Sequence, residues 1–86
     1  MEKIIKVLVL MNQQILISQI EEVGADIGEP DCKLVTPFVI KNDMMLEPFL
    51  SRYTKEKTFM MSSEKILTLV DPTPTLLEKY EDLIKE

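Results

Sequence analysis

The side chains able to do chemistry are carboxylates, hydroxyls, one thiol and a small basic group, because the 86 residues contain 15 acids, 10 bases, a single cysteine and no histidine. The missing imidazole removes the commonest general base and the commonest zinc ligand. One cysteine, Cys32, can build neither an internal disulfide nor a structural zinc site. Gly24 and Gly28, the only glycines, form neither a P-loop nor a dinucleotide fingerprint. Glu21, Glu22, Asp26, Glu29 and Asp31 flank one loop, and hard oxygen ligation of a divalent cation is the chemistry such acids could do. Their spacing matches no calcium loop, so a solvated acidic loop is the reading. Arg52, Lys55 and Lys57 around Tyr53 combine basic charge with a stacking ring, the mix of a single-stranded nucleic-acid contact; a solvated connecting loop is the simpler reading and the one preferred. No enzymatic activity, cofactor or metal is expected.

A net charge of −5 works against general attraction to phosphate polymers. With 45% hydrophobic residues but few aromatics and no Trp, the core must be built from Ile, Leu, Val and six Met. A chain of this size buries only about 60% of its unfolded surface, so burial gained by self-association would matter. Val7 to Met11 is the longest apolar run and is too short to span a bilayer, which takes about 20 helical residues. The N-terminal residues lack a positive stretch followed by an apolar core, and a cytoplasmic setting is expected.

The elements follow from periodicity and breakers. Ile4 to Met11 reads as a strand covered on both faces, and Asn12-Gln13-Gln14 as a turn with Asn at the positive φ. Ile15 to Val23 is a second strand, and Gly24 to Asp31 the clearest loop. Lys33 to Ile40 alternates, with Pro37 demanding an edge or a bulge. Lys41 to Asp43 is a turn, Met44 to Leu50 a strand interrupted by Pro48, and Ser51 to Lys57 a loop. Phe59 to Met61 and Ile66 to Val70 read as a half- or fully buried hairpin around Ser62 to Lys65. Asp71-Pro72 stops it. Thr73 as N-cap and Pro74 at the first helical position open a helix whose apolar stripe is Leu76, Leu77, Tyr80, Leu83 and Ile84. Met44, Met45, Met60 and Met61 are either core filler or an adaptable partner surface. Five or six short strands and one terminal helix predict a mainly β, strongly curved antiparallel barrel over residues 1–72, with the helix of residues 73–86 packed over one end.

Two stretches carry a family resemblance that covers nearly the whole chain. Lys6 to Ile20 resembles the first Sm motif, an apolar strand running through a turn into a bent strand. Met60 to Leu69 resembles the second, two apolar strands about a short turn. The chain is thus similar to the Sm/LSm-like family, and most similar to short Sm-like proteins of unknown role from marine cyanophages and marine metagenomes that share Asp71-Pro72-Thr73-Pro74. The resemblance implies an SH3-type barrel and a homo-oligomeric ring built edge to edge, with Val7, Val9, Phe59, Met60, Met61, Ile66, Leu67 and Leu69 at the subunit interface. It also implies single-stranded RNA as a partner, through Asn42, Asp43, Ser62, Ser63 and Lys65 near the pore. Here the chain departs from the family, with Ser62-Ser63 where members carry Arg-Gly, no recognisable Asp-x-x-Met-Asn in the first motif, and its helix after the strands rather than before them. The remaining reading is an adaptor that uses the helix and its acidic face on a host protein, without RNA.

Overall fold

The computed structural model describes residues 4–24 and 26–85, with the side chain of Asp43 outside the described ones. The strands are β1 (Ile5–Leu10), β2 (Ile15–Glu22), β3 (Cys32–Ile40), β4 (Leu46–Pro48), β5 (Thr58–Met61) and β6 (Ile66–Val70), followed by helix α1 (Pro74–Ile84). They form one antiparallel sheet in the order β4-β3-β2-β1-β6, with β5 pairing the other half of β3 on the same edge as β4. Among the described residues the pairing path does not close, and the structure is a mainly β, antiparallel six-stranded sheet with one C-terminal helix.

The doubly apolar β1 lies inside the sheet because each of its faces has its own cover. Leu8 and Leu10 join Leu16, Ile20, Cys32 and Leu34 in one buried cluster, against which Phe49, Phe59, Met61 and Ile66 pack. Ile5 and Val7 face the other way and pack against the second cluster, Ile17, Phe38, Leu76 and Tyr80. The helix therefore covers a face of the sheet. It opens as its sequence dictates, with the Thr73 hydroxyl accepting the Leu76 N–H at 3.3 Å and Pro74 at the first position. Of its stripe, Leu76 and Tyr80 are buried, Leu77 and Ile84 half-buried, and Leu83 is exposed.

Pro37 resolves as a bulge. Ile17 pairs with Phe38 and Gln19 with Val35, so Ser18 faces two residues, Thr36 and Pro37. Thr36 takes φ 52, a left-handed conformation that is unusual for a β-branched residue. The missing proline donor costs the ladder nothing there.

Four expectations are corrected. Phe59–Met61 and Ile66–Val70 are strand, turn and strand, but they do not pair: β5 lies on β3 and β6 on β1. A 3-10 turn, Ser63–Lys65, carries the chain from one sheet edge to the other. Nor are both strands buried, since Leu67, Thr68, Leu69 and Val70 are all exposed. Met44 to Leu50 yields only three strand residues, because Asn42–Met44 is a 3-10 turn that ends at Met44 with φ 63 and Leu50 also turns left-handed at φ 57. In the first turn the positive φ falls on Gln13, at 71°, while the Asn12 carboxamide oxygen accepts the Gln14 N–H at 3.0 Å.

Candidate functional site

The most pronounced features outside the core are the two free sheet edges and the cleft beside one of them. β5 donates its inner edge to β3, and its outer edge is unpaired among the described residues. Register fixes its faces: Phe59 and Met61 oppose Leu34 and Cys32 on the inner cluster, whereas Met60 opposes Lys33 and is 49% exposed. Among the described residues β6 pairs with β1 along one edge only. Its register slips between Val9 and Leu10, which leaves Leu67 as the extra residue, 60% exposed. Leu69 lies opposite Leu8, and thus on the inner face, yet remains half exposed because no described residue covers it. Two apolar unpaired edges on one small sheet are templates for strand addition.

Between β6 and the facing ends of β2 and β3 runs a cleft of about 440 Å³. Ile20, Val23, Ile66, Leu67 and Leu69 make its apolar walls, and Glu22, Asp31, Ser63 and Thr68 its polar ones. At its mouth the Asp31 carboxylate accepts the Ser63 N–H at 2.7 Å and the Ser63 hydroxyl at 2.8 Å. These bonds favour the charged carboxylate and hold its pKa below the usual value. They tie the loop between β2 and β3 to the turn between β5 and β6. The Cys32 thiol beside them is buried, and burial, reinforced by the charges of Asp31 and Glu22, pushes its pKa up. A thiol held protonated is a poor nucleophile.

The expected RNA-contact residues do not come together. Ser62, Ser63 and Lys65 belong to the turn beside Asp31, at the Cys32 end of β3. Asn42 and Asp43 belong to the turn after Ile40, at its other end, and the side chain of Asp43 lies outside the described ones. Nine strand residues separate the two turns, about 25 Å at the usual rise. Of the expected interface residues, Met60, Leu67 and Leu69 are exposed on the two edges, and Val9 is half-buried. Val7, Phe59, Met61 and Ile66 instead pack against the chain's own core clusters. The acids of the long loop also disperse, Glu21 pairing with Lys33 at 3.7 Å and Asp31 with Ser63. Among the described residues no three of His, Cys, Asp and Glu converge as metal ligands. Arg52, Tyr53, Lys55 and Lys57 are exposed on the connection between β4 and β5. No helix among the described residues is long and apolar enough to cross a membrane.

A site that sequence reasoning missed is the seat of Tyr80. Its hydroxyl accepts the Gln19 N–H at 3.1 Å and stands 2.9 Å from the Thr36 carbonyl and 3.1 Å from that of Val35. Ser18, buried on the other strand of the bulge, donates its hydroxyl to the Gln19 carbonyl at 2.8 Å and lies 3.2 Å from that of Val35. The signal was a lone tyrosine in an otherwise aliphatic helix stripe, aimed at a strand that carries a proline.

A protein-family model described as a family of unknown function, DUF6561, matches residues 3–85. No curated protein matches the chain.

Proposed function

We propose that this chain, which belongs to DUF6561, a family of unknown function, is a non-enzymatic, Sm-like subunit that pairs head to tail through its free sheet edges into a homo-oligomeric ring. The observation that carries the reading is the pair of unlike apolar edges: β5 with Met60 at one margin of the sheet, β6 with Leu67 and Leu69 at the other. An edge of one kind meeting an edge of the other gives a heterologous contact, and such a contact closes into a ring when its rotation permits. Pairing would satisfy the backbone groups of both strands and cover leucines that a single chain leaves in water.

A curled sheet fits the same reading. β5 and β6 are on opposite edges, yet only residues 62–65 connect them, a span of about 19 Å at full extension. One buried cluster gathers Phe59 and Met61 from one edge and Ile66 from the other. Both features favour a sheet that bends towards the SH3-type barrel of the Sm-like family.

RNA is left out of the proposal. Ser63, in the same turn as Ser62 and Lys65, is bonded to the Asp31 carboxylate, whose charge opposes phosphate, and the Asn42 turn is at the far end of β3.

Complementation tests the head-to-tail contact. Met60→Lys and Leu69→Lys each block one edge and should each give folded monomers. Mixed in equal amounts they should form a species of two chains, because each retains the edge the other needs. Either variant keeping the mass of the wild-type assembly would overturn the proposal.

A further inference from the structure

The four methionines that the sequence groups as one surface are divided by the fold. Met61 packs into the inner cluster and Met60 lies on the β5 edge. Met44 and Met45 lie elsewhere, beside the C-terminal half of α1. There they and Leu46 meet Lys79, Asp82 and Leu83 around an open hollow of about 380 Å³. Met45 is 67% and Leu83 52% exposed, so an apolar stripe residue of the helix stands in water next to a methionine in water. The spacing of 79, 82 and 83 puts all three on one helix face.

We infer that this hollow is the contact through which a second copy of the chain docks about a two-fold axis, and that it stacks two rings face to face. The charges choose this occupant. The hollow carries one base and one acid, three residues apart, and neither forms an ion pair among the described residues. About a two-fold axis perpendicular to α1 the two helices run antiparallel, so Lys79 meets the partner's Asp82 while Asp82 meets the partner's Lys79. Both charges are then paired and Met44, Met45 and Leu83 close over their counterparts. A uniformly acidic or uniformly basic partner would be attracted by one group and repelled by the other.

The stacking rests on the ring reading. Six residues line the hollow, against the roughly 20–30 a side of a stable interface, and one such contact is weak. In a ring every subunit presents it on the same side, and the contacts act together.

Native mass spectrometry with three variants tests it. Wild type should give twice the mass of one ring. Leu83→Glu and Lys79→Asp should each halve it, with unchanged circular dichroism, and the double variant Lys79→Asp/Asp82→Lys should restore it. A single wild-type ring, an undivided Leu83→Glu assembly, or a double variant that stays halved would overturn the stacking and leave the ring standing. A wild-type species of two chains that Leu83→Glu splits would keep the two-fold contact and overturn the ring. A wild-type monomer would overturn both.

Discussion

The Tyr80 hydroxyl stands 2.9 Å from the Thr36 carbonyl oxygen, 44 residues away in the chain. With the Gln19 N–H donated to the Tyr80 hydroxyl oxygen, the helix supplies the partner that a bulged ladder cannot give its own backbone. The C-terminal helix is therefore built into the sheet by its polar tip as well as its apolar stripe. Removing only that oxygen, in Tyr80→Phe, keeps the edge-on contact with Phe38, whose ring centroid is 5.9 Å away. It leaves Gln19 N–H and Thr36 C=O buried without that partner. Denaturant unfolding should show a loss of about 1–3 kcal/mol; an unchanged midpoint would contradict this role.

The same hydroxyl makes the fold sensitive to alkali. Burial pushes the Tyr80 pKa up, against a smaller opposing effect of its hydrogen bonds with Gln19 and Ser18. The folded chain thus holds this proton at a pH where the unfolded chain has released it. Its contribution is whole below the ordinary tyrosine value of about 10 and is lost as pH rises from there through the folded value. Urea midpoints measured from pH 9 upwards should fall more steeply for wild type than for Tyr80→Phe. Parallel curves would be the contrary result.

Thr36 itself is strained, and the strain is relievable. A β-branched residue at φ 52 costs about 1–2 kcal/mol, while glycine there adds unfolded-chain entropy of about 0.5–1 kcal/mol. Thr36→Gly should therefore stabilise the fold by about 0.5–1 kcal/mol in thermal or chemical unfolding. Destabilisation would mean that the side chain, not the backbone angle, matters at this position.

Asp31 and Ser63 predict an acid-sensitive clasp at the cleft. Because the carboxylate is favoured in the folded chain, the clasp is complete above the ordinary Asp value of about 3.9 and opens as pH falls through its lowered folded value. Hydrogen exchange at the Ser63 amide should accelerate in Asp31→Ala, with β1 and β2 amides unaffected. Equal protection in both proteins would remove the clasp.

Cys32 should report on opening of the inner cluster. Its thiol is buried and its pKa raised, so iodoacetamide at pH 8 should label it only through unfolding, and the rate should rise with denaturant. Labelling as fast as a free thiol in the native chain would contradict the burial.

Much of the chain was legible because its signals are local. β1, β2, β3 and the Thr73-Pro74 helix start are written in apolar runs and breakers, and Pro37 announced an edge or a bulge, of which the fold uses the bulge. What was not legible depends on partners distant in sequence. Two apolar runs about a polar turn look like a hairpin whether the strands pair together or, as β5 and β6 do, with β3 and β1. Met44 and Leu50 carry left-handed angles that neither residue type advertises, and they shortened β4 to three residues. The candidate site was the least legible part. The residues expected to gather at one pore lie at the two ends of β3, while the groups that do meet, Asp31 with Ser63 and Tyr80 with Thr36, are 32 and 44 residues apart.

The mass of the untagged protein at micromolar concentration tests the central claim, that β5 and β6 edges of separate copies pair. Light scattering coupled to size exclusion should give one discrete species whose mass is an integer multiple, above two, of the 9.9 kDa chain. A clean 9.9 kDa monomer would contradict it.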